Sequence, residues 1–195
     1  MLKRTFDLIS SLAALITLSP LLILISILIK IDSKGKALYT QKRVGKNGTR
    51  FNLLKFRTMK PDSDSKGLLT IGNDSRITGI GHFLRRTKLD ELPQLINIIR
   101  GEMSVVGPRP ETPNFVELYN EEQQKVLNVK PGLTDYASLN FINESEILAE
   151  HEDPEKAYVE IIMPQKLAFN LAYIKDQSFG LDIKIIFRTI FRILT

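Results

Sequence analysis

The sequence contains no cysteine and only two histidines, and this scarcity excludes several kinds of chemistry. Without cysteine the chain can form no disulfide, no thiolate metal site and no cysteine nucleophile. His82 and His151 lie far apart in sequence and in unlike contexts, so we expect ordinary surface or packing roles for both. Gly79 and Gly81 lack the third glycine and the preceding strand of a dinucleotide fingerprint. Candidate functional groups must therefore be sought among the charged residues.

The charge of the chain favours anionic partners. At 195 residues the sequence fits one domain with a real core plus an appendage. A formal charge of +5 and an isoelectric point near 9.4 indicate nucleic acid, phospholipid or a phosphorylated small molecule as binding partner. Few aromatic residues lie among the basic clusters, so stacking on single-stranded bases is not expected. We therefore predict no nucleic-acid partner.

A long apolar segment near the start of the chain predicts contact with a membrane. Residues 8–29 carry no charge and could cross a ~30 Å hydrocarbon layer as one helix. A cleaved signal peptide is the weakest interpretation because the segment is too long and no small-residue cleavage pattern follows. A single transmembrane span is the usual one. Positive charges on both flanks, however, place both ends on the cytoplasmic side.

Pro20 also argues against a straight span. Proline removes a backbone hydrogen bond and bends a helix, and the Ser19 hydroxyl can satisfy backbone groups freed at such a break. Each half would have about 11 residues and reach roughly 16 Å, about the middle of the bilayer. We therefore predict a re-entrant helix–break–helix hairpin, broken at Ser19 and Pro20, that enters and leaves by the cytoplasmic face.

A second membrane element is predicted at residues 181–195. One helical face can be lined by Ile183, Ile186, Phe187, Ile190 and Leu194, and basic residues repeat every four positions on another. Such a helix suits the surface of an anionic membrane. The alternative is a terminal helix that packs on the core. The basic residues are Lys184, Arg188 and Arg192.

A β-hairpin is predicted after the apolar segment. The runs from Ala37 to Gln41 and from Arg50 to Phe56 have strand-like composition, and Gly45-Lys46-Asn47-Gly48 between them is a tight-turn signal. Further stretches are predicted as a loop from Pro61 to Gly67, an amphipathic helix from Phe115 to Val129, and a turn from Pro131 to Asp135.

Two adjacent acids, Asp90 and Glu91, stand where a helix is expected to begin. Pro93 favours a helix start because proline is tolerated in the first turn. Apolar residues then recur at helical spacing and predict one buried face. A helix N-terminus offers free N–H groups and a partial positive charge, which suit a phosphate. The apolar residues are Leu92, Leu95, Ile96 and Ile99.

The acidic pair has three interpretations. Thr87 followed by Asp90 three residues later resembles a capping box, worth about 1 kcal/mol. The pair could instead hold Mg²⁺, which prefers a few carboxylate oxygens together with substrate phosphates. One acid could also be a nucleophile that takes up a phosphoryl group. The surrounding cations favour the last two, since together they could neutralise a diphosphate: Lys55, Arg57, Arg85 and Arg109.

Several separated motifs resemble those of bacterial sugar transferases of the monotopic polyprenyl-phosphate phosphoglycosyl transferase family. The resemblance covers nearly the whole chain and is closest to the short members, which consist of the catalytic domain alone. The motifs that carry it are Lys3-Arg4-Thr5-Phe6-Asp7, Ser19-Pro20, Gln41-Lys42-Arg43-Val44-Gly45, Lys55-Phe56-Arg57-Thr58-Met59, Leu89-Asp90-Glu91-Leu92-Pro93-Gln94-Leu95 and Met103-Ser104-Val105-Val106-Gly107-Pro108-Arg109-Pro110.

The resemblance implies a two-step reaction. Asp90 would attack the β-phosphate of a UDP-sugar and release UMP, and undecaprenyl phosphate would then take the sugar phosphate from the aspartate. Mg²⁺ would lie near Asp90, and Glu91 would help to position the metal or its acidic partner. The cations at positions 55, 57, 85 and 109 are the candidate phosphate contacts. The alternative is a membrane-anchored binding protein for anionic lipid or nucleic acid that catalyses nothing.

The expected architecture is α+β and mainly helical, in a monotopic protein on the cytosolic face of the bacterial inner membrane. It combines the re-entrant helix at 1–32, a cytosolic catalytic domain with a small β-hairpin at 33–180, and the interfacial helix at 181–195. The phospholipid membrane is an expected partner, and a homodimer is the assembly to be tested.

Overall fold

The computed structural model describes residues 2–61, 63, 67, 69–72, 74–141 and 144–194, so most of the loop predicted from Pro61 to Gly67 lies outside the described residues. The helices are α1 (Leu2–Asp32), α2 (Gly79–Arg86), α3 (Gln94–Arg100), α4 (Pro113–Val116), α5 (Glu121–Gln124), α6 (Glu144–Ala149), α7 (Pro154–Ala157), α8 (Met163–Lys175) and α9 (Phe179–Leu194). The strands are β1 (Leu38–Val44), β2 (Arg50–Phe56), β3 (Ser104–Val106) and β4 (Gly132–Thr134). The chain is thus mainly helical with small sheets, as the sequence predicts.

Helix α1 is long and apolar enough to cross a membrane. It is helical from Leu2 to Asp32 with Pro20 inside, and the Ser19 hydroxyl donates a hydrogen bond to the Ile16 carbonyl at 2.8 Å. The structure thus shows one continuous helix where the sequence predicts two helices with a break at Ser19 and Pro20. The re-entrant path through the membrane stays a prediction. Two pairs of positions in α1, each pair four residues apart, are buried, while most of its large apolar side chains are exposed. The buried positions are Asp7, Ser11, Ile25 and Ile29.

Both ends of α1 pack on the rest of the chain. The Lys3 ammonium donates to Asp182 of α9 at 2.6 Å and to the Val106 carbonyl of β3 at 2.9 Å. Near the other end, Ile29 packs in one cluster with Leu84 of α2. The two ends of the apolar helix are therefore held by the same folded body.

The predicted β-hairpin is confirmed. Strands β1 and β2 pair antiparallel, with Tyr39 opposite Lys55. The connecting turn contains Asn47 at φ 56° and Gly48 at φ 75°, a left-handed backbone that asparagine and glycine tolerate best. Phe51 and other inward residues of β2 pack against α3, which fixes the hairpin beside the acidic pair.

The turn predicted from Pro131 to Asp135 is wrong, because Gly132–Thr134 is strand β4. It pairs parallel with β3, Ser104 opposite Gly132 and Val106 opposite Thr134. The two backbones approach so closely at Gly107 and Gly132 that a Cβ on Gly132 would lie 2.1 Å from the Gly107 nitrogen. Glycine is required at this crossing, and three-residue strands are too short to show an alternating pattern in the sequence.

The helix predicted from Phe115 to Val129 is also wrong in its extent. The helix is interrupted before Asn120, whose side chain caps α5 in a capping box with Gln123. Two short helices, α4 and α5, and a 3₁₀ turn at Lys125–Asn128 replace the single helix.

The terminal helix α9 is confirmed as a helix, but its inward face differs from the predicted apolar stripe. Ile185 and Asp182 are the buried positions, whereas Phe187 lies outward and 69% exposed. Lys184, Arg188 and Arg192 are exposed, as the sequence predicts. The face that holds Phe187 is thus both apolar and bordered by cations.

Candidate active site

The acidic pair lies in a 3₁₀ turn, Leu89–Glu91, that joins α2 to α3. Lys88 precedes it in a left-handed conformation at φ 57°, which costs about 1 kcal/mol for a residue with a side chain. Helix α3 begins just after, at Gln94, with Pro93 at its N-terminal boundary. The predicted helix start is therefore correct to within a few residues, and the acids precede the helix.

The capping-box interpretation is wrong. The Thr87 hydroxyl donates to the Phe83 carbonyl at 2.9 Å, so this residue closes α2 and does not begin α3. Asp90 Oδ1 is buried and has no hydrogen-bond partner among the described residues. A buried carboxylate oxygen without a partner is costly, which indicates a role other than capping.

Glu91 and Arg109 form a two-armed ion pair. The Arg109 nitrogens donate to the two Glu91 oxygens at 2.7 and 3.2 Å. Burial alone would raise the pKa of Glu91, but the charge and hydrogen bonds of Arg109 outweigh it and lower that pKa. The Glu91 charge in turn raises the pKa of Arg109. The pair is therefore fixed in its charged form, which makes Glu91 a weak base.

Asp90 has the opposite electrostatic setting. It is 6% exposed, and burial, followed by the neighbouring Glu91 charge, raises its pKa to about 6. Lys55, Lys88 and Arg85 act against this rise. Two adjacent carboxylates thus have separate pKa values, a common property of paired acids with different tasks.

Lys55 lies on β2 with its ammonium 5.2 Å from the centre of the Tyr39 ring. Burial and the nearby Arg43 charge lower its pKa to about 8, while Asp90 acts in the opposite sense. The Lys55 ammonium therefore interacts electrostatically with both acids, and it lines a cavity beside them.

The other two predicted phosphate contacts make different interactions. Arg85 donates to the Thr70 hydroxyl at 2.7 Å, and burial lowers its pKa although Asp90 raises it. Arg57 donates to the Ser33 and Lys34 carbonyls, each at 2.7 Å, and so closes the end of α1. Both residues line the same cavity as Lys55, and their contact with substrate stays a prediction.

A cavity of about 660 Å³ lies beside the acidic pair, a size typical of sites for small ligands. Glu91 and Arg109 line it together with the three other predicted cations. Asp90 is buried directly next to the lining residue Glu91, so its carboxylate must turn into the cavity to react. The structure thus brings Glu91 and the four predicted cations to one cavity with Asp90 next to it, whereas Ser19 and Pro20 lie apart in the middle of α1.

The sequence interpretation missed one wall of this cavity. Tyr39, Gln41 and Arg43 of β1 alternate with exposed residues and line it. Arg43 donates to Glu111 at 2.9 Å and to the Pro110 carbonyl at 3.1 Å. The strand alternation could have identified this face, since residues two apart point to the same side.

The Arg43–Glu111 pair also fixes the loop that carries Arg109. The Tyr158 hydroxyl donates to the second Glu111 oxygen, and Val44 donates its N–H to the Glu111 carbonyl at 2.9 Å. Burial, followed by the Glu111 charge, raises the pKa of Tyr158. No local pattern links position 111 to position 158, so this network was not predicted.

The residues at the acidic pair fit Mg²⁺ bound partly through substrate. Among the described residues no group of three or more histidine, aspartate or glutamate side chains converges on one point. Mg²⁺ does not need such a cage, because it commonly binds one or two carboxylates together with substrate phosphates. The unpartnered Asp90 oxygen is the available ligand, since Glu91 is engaged by Arg109.

Comparison with known proteins finds one matching family and several similar relatives. The chain matches the model of the family described as bacterial sugar transferase over residues 1–195. It is 40% identical over 203 residues to the exopolysaccharide production protein PSS of Rhizobium leguminosarum bv. phaseoli, covering 100% of this chain and 96% of that protein.

Two further relatives have more specific names. The undecaprenyl-phosphate glucose phosphotransferase of Komagataeibacter xylinus is 39% identical over 97% of this chain, which spans only 35% of that protein. The UDP-N-acetylgalactosamine-undecaprenyl-phosphate N-acetylgalactosaminephosphotransferase of Aeromonas hydrophila is 33% identical over 100% of this chain and 44% of its own length.

Proposed function

The chain belongs to the bacterial sugar transferase family, and we propose that it transfers a sugar 1-phosphate from a UDP-sugar to undecaprenyl phosphate. One observation carries the proposal beyond the family: in the part of the chain that the structure describes, the buried Asp90 Oδ1 has no hydrogen-bond partner and lies near cations, beside a cavity of ligand size. The names of the relatives supply the two substrate classes, since they include UDP-N-acetylgalactosamine and undecaprenyl phosphate. Both substrates are anionic, in agreement with the positive charge of the chain.

In the first step, an Asp90 oxygen attacks the β-phosphorus of the UDP-sugar. A phosphorus–oxygen bond forms to Asp90, the bond to the bridging oxygen breaks, and UMP leaves with that oxygen. In the second step, an oxygen of undecaprenyl phosphate attacks the same phosphorus and releases Asp90. The raised pKa of Asp90 supports this role, because a carboxylate less stabilised as an anion is the better nucleophile.

The other residues stabilise charge and hold the site in place. Lys55 and Arg85 line the cavity close enough to Asp90 to affect its pKa, and they are suited to phosphate oxygens. Glu91 keeps Arg109 in a fixed orientation at the cavity wall. Bound Mg²⁺, held by Asp90 and substrate, would supply further charge neutralisation on the phosphoryl oxygens.

We further propose that the protein is monotopic and lies on the cytosolic face of the inner membrane. Contacts at both ends of α1 with one folded body support an entry and exit on the same side. The exposed apolar residues of α1 and the outward face of α9 would lie in the bilayer and at its surface. The alternative, a simple span, would separate Lys3 from Ile29 by a membrane.

UMP release tests the proposed reaction. Detergent-solubilised protein would be mixed with a panel of UDP-sugars, Mg²⁺ and undecaprenyl phosphate, and UMP would be measured. We expect one sugar to support turnover and Asp90→Asn to abolish it, while Glu91→Gln tests the neighbouring acid. Full activity of Asp90→Asn would overturn the mechanism. Salt-sensitive lipid binding without UMP release from any sugar would favour a non-catalytic binding protein.

A further inference from the structure

The cavity beside the acidic pair continues to the terminal helix α9. Ile186, Thr189 and Ile190 line it, at spacings of three and four that place them on one face. More than 90 residues of sequence separate this face from Glu91, which lines the same cavity. The site is therefore larger than its phosphate-binding part.

The wall near α9 is mainly aliphatic, and Thr134, Ser138, Thr189 and Arg192 add polar groups to it. Val105 and Leu139 pack with Ile186 in one cluster around Val106 and Ile185, and both line the cavity. Leu133 of β4 also contributes to the lining. The cations that surround Asp90 come from β2 and α2, so the cavity combines a charged part with an apolar part.

Helix α9 is held in place by a hydrogen bond to β4. The hydroxyl oxygens of Thr134 and Thr189 lie 2.6 Å apart. Because the Thr189 hydroxyl donates to the Ile185 carbonyl at 2.9 Å, the donor between the two threonines is Thr134. The apolar wall is therefore preformed.

The cavity reaches the outer surface at Ile190. This residue lines the cavity and is nevertheless 50% exposed, and Phe187, one turn before it, is 69% exposed. Exposed basic residues border the same helix. An apolar path with a basic border thus leads from the cavity to the face that we assign to the membrane surface.

We propose that the polyisoprenyl chain of the acceptor leaves the cavity along Ile186 and Ile190 of α9. The proposal rests on the proposed function, which places the acceptor phosphate at Asp90. The aliphatic side chains of this wall suit a hydrocarbon chain, and two of its hydroxyl groups, those of Thr134 and Thr189, are hydrogen-bonded to each other. A cavity of about 660 Å³ holds only the first isoprene units, so the rest of the chain extends past Ile190 into the lipid.

The two half-reactions separate this inference from the proposed function. UMP released on mixing enzyme with UDP-sugar and Mg²⁺, before any acceptor is added, reports the first step alone. The KM for undecaprenyl phosphate in detergent micelles reports the second. Ile190→Asn adds a polar amide to the chain path, and we expect an unchanged UMP burst with a KM about tenfold higher.

Phe187→Asn is the matched control, because it removes an exposed apolar side chain of the same helix that is not part of the cavity lining. We expect its KM to stay within about twofold of the wild type. Equal KM changes in both variants, or none in Ile190→Asn, would overturn the inference. A missing UMP burst in the wild type would instead refute the proposed function. The burst in Ile190→Asn also shows that this variant is folded.

Discussion

Glu91 receives two hydrogen bonds from Arg109, whereas Asp90 Oδ1 has no partner among the described residues. The two acids therefore differ in surroundings, although they are adjacent in one turn. Burial raises the pKa of Asp90, whereas the charge and hydrogen bonds of Arg109 outweigh burial at Glu91 and lower its pKa.

Replacement of Asp90 by asparagine should stabilise the fold above pH 6. The folded pKa is raised to about 6, while an unfolded aspartate titrates near pH 3.9. Between these values the folded chain retains a proton that the unfolded chain has lost, so stability falls as pH rises through the window. Above it the buried charge costs on the order of 3 kcal/mol, which asparagine avoids.

Thermal unfolding in EDTA at pH 7.5 and pH 4 measures this effect. Asp90→Asn should melt a few degrees above the wild type at pH 7.5, and the difference should disappear at pH 4. Asp176→Asn, at an exposed position, is the control and should change little. A lower melting temperature of Asp90→Asn at pH 7.5 would contradict the raised pKa.

Lys55 should set the alkaline limit of activity. Its pKa is lowered to about 8, so the ammonium loses its charge as pH rises through 8 and phosphate binding weakens. In Lys55→Arg the cation persists, and kcat/KM for the UDP-sugar should stay level to about pH 9.5. Lys42→Arg, on the exposed face of β1, should keep the wild-type decline. An identical decline in Lys55→Arg would exclude this lysine as its cause.

At the scale of elements, α1 combines a few buried positions with a broad exposed apolar surface. The buried positions include polar Asp7, which accepts a hydrogen bond from the Val105 N–H at 3.0 Å, and fully buried Ser11. The Asp7 contact therefore anchors the first part of α1 to the folded body beside β3.

Cysteine labelling tests that topology without background, because the chain contains no cysteine. Leu2→Cys and Lys36→Cys, both at exposed positions, should resist a membrane-impermeant thiol reagent in intact cells and react after permeabilisation. Labelling of Leu2→Cys alone in intact cells would indicate a simple span. Adding Pro20→Leu should straighten α1 and shift the Leu2→Cys protein toward labelling.

At the scale of the whole molecule, the two ends of the chain meet. Lys3 of α1 pairs with Asp182 of α9, which is only 3% exposed and also accepts a hydrogen bond from Tyr173 at 2.5 Å. The ring of Phe6 lies 5.4 Å from that of Phe179, edge to face. This junction sets α1 and α9 against the same body, and both carry exposed apolar faces.

Breaking the junction should destabilise the protein more than breaking a surface pair. Lys3→Met leaves the buried Asp182 charge without its ammonium partner, and we expect it to lower the free energy of unfolding by about 2 kcal/mol. The loss is smaller than for a fully buried pair because Lys3 is partly exposed. The double variant with Asp182→Asn should recover part of this loss. Chemical denaturation measures both values. Lys125→Met, which breaks the exposed Lys125–Glu122 pair, should cost under about 1 kcal/mol.

The sequence alone determined the elements whose signals are local. The uncharged apolar run predicted helix at α1, although as two helices with a break, hydrophobic spacing predicted α9, and the Gly45-Lys46-Asn47-Gly48 turn predicted the β-hairpin. Asp90 and Glu91 were recognised because they stand directly before a helix start. Each of these signals depends on residues within a few positions of one another, where backbone geometry fixes which side chains share a face.

Only the tertiary structure decided which charges pair and what the cavity contains. Arg109 lies 18 positions from Glu91, and Ile190 reaches the same cavity from the end of the chain. The short parallel pair β3–β4 joins segments with too few residues for a pattern. Ion pairing and desolvation depend on distances in space, which packing sets and local spacing does not encode. For that reason the sequence located the acidic pair, and the fold determined that Asp90 Oδ1 is the carboxylate oxygen left without a hydrogen-bond partner among the described residues.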